Sequence, residues 1–150
     1  LINLAQFLMM MTQILALMAA FGIFTSQMNL DPTIEAIVKR QAVAWETANV
    51  SEIVRDFAPD ATFIAGGFTF QGVAAIQKAA EDYFRQFSDT KVTIKRIITG
   101  ADNIQGAAEW DWSDRNKQNG QPSQAEDAII FELQDDGKIS YWREYIEKID

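Results

Sequence analysis

The sequence predicts an α+β fold in which three helices cover one face of a curved antiparallel sheet. Three observations predict it. Apolar residues recur at helical spacing over residues 34–48 and again over 73–87. From Lys91 to the end, the chain reads almost wholly as β-strand. Residues 124–150 are two apolar runs joined at Asp135-Asp136-Gly137, and Asp-Gly between such runs is a strong hairpin signal. Helices followed by long strands is the order of a fold whose helices segregate onto one sheet face. The concave face of such a sheet leaves room for a pocket.

Residues 1–30 carry no charge, and 7–24 are apolar except for Thr12 and Gln13. That run barely reaches the length of a bilayer span, and the first basic residue is Lys39, whereas a signal peptide wants an early basic region. The chain begins at Leu1, so Met9, Met10, Met11 and Met28 are candidate starts. A start at Met28 gives a compact cytoplasmic domain. An earlier one gives a membrane anchor or an export leader. Residues 31–150 are the domain, and 1–30 are kept apart from it.

Asp31-Pro32 reads as an N-cap followed by proline at the first helical position. Ile34, Ile37, Val38, Gln41, Trp45 and Ala48 then mark a first helix. Gln41 is the one polar residue in that stripe, either an edge position or a ligand contact. Asn49 or Ser51 opens a short second helix that Pro59 ends. ATFIA and FTF are short strands around a Gly66-Gly67 turn. A third helix follows Gly72, burying Val73, Ile76, Ala80, Tyr83, Phe84 and Phe87. KVTIKRIIT and GAAEWDWSD are long strands, residues 115–124 a polar turn, and the hairpin closes the chain.

Composition narrows the chemistry. At 150 residues, 48% hydrophobic and 23% charged, this is one ordinary globular domain with an extension. The net charge of −8 argues against nucleic acid or an anionic membrane as partner, although solubility alone explains it. There is no histidine and no cysteine. This removes histidine bases, Ser-His-Asp triads, thiolate nucleophiles and zinc–thiolate sites. Proton transfer must use carboxylates, tyrosine, lysine or water.

The element order, FAPDATF, the F-Q-G before the third helix and DDGKISYWREYIE together resemble the SnoaL-like branch of the nuclear transport factor 2-like superfamily. The resemblance covers residues 31–150 and implies a cone-shaped α+β barrel. It implies neither cofactor nor metal, and it favours a homodimer. Its activities include isomerases, cyclases, epoxide hydrolases, dehydratases and plain binding domains. The three catalytic positions of ketosteroid isomerases fall on Ala65, Gln41 and Ile129, none of which is the required residue. Of the three groups of limonene-type epoxide hydrolases, one is kept conservatively, at Glu144; the others fall on Trp110 and Trp112. Cyclases of the SnoaL type need only a carboxylate in a shaped apolar pocket, a requirement this sequence can meet.

That motif match points Glu144 into the pocket, and Trp142 and Ile146 follow by parity. On the preceding strand Asp127, Ile129, Phe131 and Leu133 share a face. A four-residue loop at 134–137 pairs Asp127 with Glu144. A two-residue Asp136-Gly137 turn pairs Asp127 with Ile146 and leaves Glu144 diagonal, about 7–8 Å away. Either way two carboxylates share one low-dielectric site, where one keeps its proton and serves as acid while the other serves as base. The plain alternative leaves Asp127 at a solvated rim. Trp110, Trp112, Trp142, Phe63, Ile129, Ile146, Gln41 and Tyr83 are the candidate substrate contacts for a small apolar molecule. Core packing explains the tryptophans equally well, and Trp45 is read as core. On the outer face Tyr141, Arg143, Tyr145, Ala128 and Ile130, flanked by Glu126 and Glu132, suggest a homodimer interface, with Arg143 paired to one of those acids. Asp60 is read as a turn residue.

Two functions of different class follow. One is cofactor-independent acid/base catalysis (isomerase, cyclase, lyase or hydrolase) through Asp127 and Glu144. The other is a non-catalytic ligand-binding or dimerisation module.

Overall fold

The computed structural model describes residues 33–149, which fall in one compact unit, Asp31–Asp150. The expectations for residues 1–30, and the Asp31-Pro32 helix start, lie outside the described residues. Thr33 takes the cap: its Oγ1 accepts the Ala36 N–H at 3.2 Å. Helix α1 therefore runs Ile34–Glu46 and stops short of Ala48, which takes a left-handed φ of 51°. Helix α2, Val50–Arg55, is capped by Asn49. Helix α3 is Val73–Gln86.

The strands are β1 Phe57–Ala65, β2 Phe68–Gln71, β3 Phe87–Thr99, β4 Gln105–Asn116, β5 Pro122–Leu133 and β6 Ile139–Ile149. Their order in the sheet is β2-β1-β6-β5-β4-β3, so the sheet is open with β2 and β3 at its edges. The α+β architecture is the expected one. It differs in that β1 runs parallel to β6, which makes the sheet mixed. Strand β1 also starts earlier than ATFIA and contains Pro59. The proline fits because the β1–β6 register is irregular between Phe57 and Thr62, where no ladder N–H is needed. Gly66 and Gly67 both have positive φ, 58° and 83°, giving the two-residue turn that matches strand twist.

Residues buried from α1, Ile34, Ile37, Val38 and Trp45, pack against Trp110, Ile129, Phe131 and Trp142 of the sheet. Each such large side chain removed from water stabilises the fold by about 1.5–3 kcal/mol. Strand β5 alternates strictly, with Ala125, Asp127, Ile129, Phe131 and Leu133 buried between exposed neighbours. Strand β6 keeps its expected parity only from Trp142 onward. Leu133 faces Ile139 and Glu132 faces Tyr141, so Ser140 is an extra residue, a bulge whose hydroxyl donates to Glu132 O at 3.2 Å. Among the described residues, no helix is long and apolar enough to cross a membrane.

Candidate active site

The hairpin bulge fixes the register that matters. Asp127 faces Ile146 and Ile129 faces Glu144, so the two acids are diagonal neighbours on one sheet face. This is the register of the shorter-turn alternative. The loop itself spans more than two residues, because Gln134 N–H donates to Lys138 O at 2.7 Å, and the bulge makes up the difference.

Asp127 is buried, 5% exposed, rather than set at a solvated rim. Directly across on β4, Trp110 donates its indole N–H to Asp127 Oδ2 at 3.1 Å. Asp127 Oδ1 is sealed and has no hydrogen-bond partner. Burial pushes this carboxyl up to about 6, and the single indole donor only partly opposes the shift. Glu144 is half-buried as a residue, but its carboxyl group is desolvated, and Trp142 donates to its Oε1 at 2.8 Å. Burial pushes Glu144 up to about 8; the Trp142 bond works against the shift and the nearby Asp127 charge adds to it. Each acid thus has one indole donor, too few for the burial it suffers.

Both acids line a cavity of about 490 Å³ together with Trp112, Phe63, Tyr83 and Ile146. The other four candidate contacts lie elsewhere. Trp110, Trp142 and Ile129 are each 1% exposed and pack in the core. Only the indole N–H groups of the two tryptophans reach the acids. Gln41 is also 1% exposed, and its amide donates to Ile53 O at 2.9 Å and Asp56 Oδ2 at 3.2 Å, which ties α1 to the end of α2. Trp45, read as core, is buried and also touches the cavity.

Asp114 is the residue that sequence reasoning missed. It shares the inward parity of Trp110 and Trp112 on β4 and lines the same cavity. Tyr83 Oη donates to Asp114 Oδ2 at 2.8 Å, Trp112 Nε1 donates to the same oxygen at 3.2 Å, and Ser123 Oγ donates to Oδ1. Burial raises the Tyr83 hydroxyl above its ordinary value. With its carboxylate fully engaged, Asp114 is a built anchor between α3, β4 and β5. Among the described residues, no three acidic side chains converge closely enough to hold a metal ion. On the outer face Arg143 lies over the Tyr145 ring, 4.7 Å from its centroid, instead of pairing with Glu126 or Glu132.

Comparison with known proteins bears on the family and the fold. No curated protein sequence matches the chain. Among solved structures, a candidate polyketide cyclase from Xanthomonas campestris pv. campestris is 16% identical, with a TM-score of 0.69 over 78% of this chain and 91% of its own. SalBIII, an epoxide hydrolase/cyclase-like enzyme with a role in pyran ring formation in the polyether salinomycin, is 20% identical, with a TM-score of 0.67 over 75% of this chain and 89% of its own. A protein of ketosteroid isomerase-like fold from Catenulispora acidiphila, solved with trimethylamine, is 22% identical, with a TM-score of 0.66 over 73% and 83%. At these identities the likeness concerns the fold. The family model for the SnoaL-like domain matches residues 38–142, which include Asp114 and Asp127 and end two residues before Glu144. The chain belongs to the SnoaL-like domain family.

Proposed function

We propose that the domain binds a small, largely apolar molecule in its cavity and acts on it by cofactor-free acid/base chemistry through Asp127 and Glu144. One observation carries the reading. Two carboxyl groups on adjacent strands face one cavity, and their pKa values, about 6 and about 8, lie on either side of neutrality. At pH 7 Glu144 holds its proton and Asp127 is mostly ionised, so one group can donate while the other accepts. Because the two interact, the proton count belongs to the pair. Isomerisation, cyclisation, elimination and hydrolysis can each use this division of labour, and the fold is shared with SalBIII and the Xanthomonas candidate polyketide cyclase, whose names describe chemistry of this kind.

Carbon-13 NMR of labelled side-chain carboxyls tests the proposal without a substrate. The expected result is two groups titrating near 6 and 8. If both titrate near their ordinary values of about 4, the acid/base reading fails. The cavity is then that of a binding module. The exposed apolar outer face, with Ile98, Ile130 and Tyr145, supports a homodimer in either case.

A further inference from the structure

The wall around the acids is aromatic. Trp45, Phe63, Phe70, Tyr83, Phe87 and Trp112 line the cavity. Trp45, Tyr83 and Trp112 pack edge to face, with centroids 5.6 and 5.7 Å apart. The charged groups facing this space are the carboxyls of Asp114 on β4, Asp127 on β5 and Glu144 on β6, against one amine, Lys148 on β6. Tyr83 on α3 is the remaining titratable group there, and α1, β1 and β2 contribute only uncharged residues. Asp114 is balanced by three donors, but Asp127 is not. On its outer side lie the acids Glu109, Glu126 and Glu147; Glu109 is paired with Arg96 at 2.6 Å and Lys95 is held by Asp111 at 2.8 Å.

We infer that the cavity selects ligands carrying a positive charge on an apolar body: a protonated amine or a quaternary ammonium group. This rests on the reading of the cavity as the ligand site, and it names the chemical class that site takes. Two effects act in the same direction. Aromatic surface attracts a cation through its ring quadrupoles. The Asp127 charge, which the Trp110 indole N–H partly offsets but which no cation pairs with among the described residues, attracts it through the poorly screened cavity without any contact to the sealed oxygen. A neutral ligand gains from neither. The chain's net charge of −8 also raises the local concentration of cations.

A proton linkage follows from the geometry. A cation beside the pair favours the ionised carboxylates and lowers their pKa values from about 6 and about 8. Binding therefore expels protons and tightens as pH rises through that range. The test titrates the full chain with phenyltrimethylammonium and with its neutral isostere, tert-butylbenzene, at pH 5, 7 and 9, read by calorimetry and tryptophan fluorescence. The cation is expected to bind about tenfold tighter than the isostere at pH 9. It should lose about that factor by pH 5, one unit of linked titration. The isostere stays flat, and Asp127→Asn or Glu144→Gln flattens the cation curve. Equal affinities at pH 9 overturn the charge preference while leaving the cavity reading intact, because the isostere has then bound. Failure of both to bind at millimolar concentration overturns both. A cation preference that ignores pH overturns the role given to the acid pair. If the carboxyls of the free protein titrate near 4, acid/base catalysis is lost, and cation selectivity at pH 9 is still measured independently.

Discussion

Asp127→Asn gives the sharpest prediction, because its sign can be worked out in advance. The Asp127 carboxyl rises from 3.8 to about 6 on folding. Between those values the folded chain holds more protons than the unfolded chain, so stability falls as pH rises through the window. The full contribution is present below about 3.8 and is lost above about 6. A shift of that size corresponds to about 3 kcal/mol, of which about 2 kcal/mol is lost between pH 4.5 and pH 8. At 5% exposure the group needs little discount for solvent screening. Asparagine keeps the shape and an oxygen for the Trp110 N–H, but cannot ionise. Removing the Asp127 charge also relieves Glu144, whose raised pKa it helps to support, so the coupled term acts in the same direction. Urea unfolding of both proteins at pH 4.5, 6 and 8 checks it. The stability of Asp127→Asn relative to the native chain should improve by about 2 kcal/mol across that range. Parallel profiles would mean that Asp127 titrates normally, and the pair would lose a member.

Three further outcomes follow from single contacts. Trp142→Phe removes the indole N–H that donates to Glu144, so that carboxyl should move above about 8 in a carbon-13 titration, and an unchanged value would dismiss the indole's role. Gly106→Ala places a Cβ 2.6 Å from Phe131 Cζ and 3.0 Å from Ile34 Cγ2; Phe131 is stacked on Trp142 and cannot yield, so the substitution should cost about 1–3 kcal/mol in urea unfolding. Ile130→Glu and Tyr145→Glu put charge on the exposed outer face. Sedimentation should find the native chain dimeric and both variants monomeric, and a monomeric native chain rejects the interface.

The parts legible in the sequence are those with an unbroken local period. Strand β5 alternates without exception, so the inward position of Asp127 followed from counting by twos. Strand β6 does not: the Ser140 bulge resets its parity, and no local feature of ISYWREYI announces the extra residue. The motif match supplied the direction of Glu144 where counting from the turn left two registers open. Pro59 read as the end of the second helix because the residue before a proline is biased away from helix; the helix already ends at Arg55, and the irregular β1–β6 pairing admits Pro59 inside the following strand. Gln41 read as an edge or ligand residue because its partners, Ile53 O and Asp56, come from another helix and its cap. For Asp114 the parity of Trp110 and Trp112 pointed inward. Its partner Tyr83 lies 31 residues away, and their meeting is a property of the packed helix and sheet.

The tryptophans bear on what the pair of acids can be. Core packing and a ligand wall were competing readings of Trp110 and Trp142; neither lines the cavity, and both pack in the core with one polar atom left for the acids. Their rings, 1% exposed, fill the core, while each indole N–H projects to one carboxylate. A carboxylate that accepts two or three donors is held well below its ordinary pKa, and a buried one with none is driven far above it. One donor apiece places Asp127 and Glu144 between these limits, near the pH at which a proton can move in either direction. The donors belong to the packed core, so both hydrogen bonds are in place before any ligand enters. A surface serine or a water in their place would have to be ordered anew at each encounter. The same packing that stabilises the sheet therefore sets the proton affinity of the site. Substitutions at Trp110 and Trp142 should change stability and titration together, whereas those at Asp127 and Glu144 should change titration first.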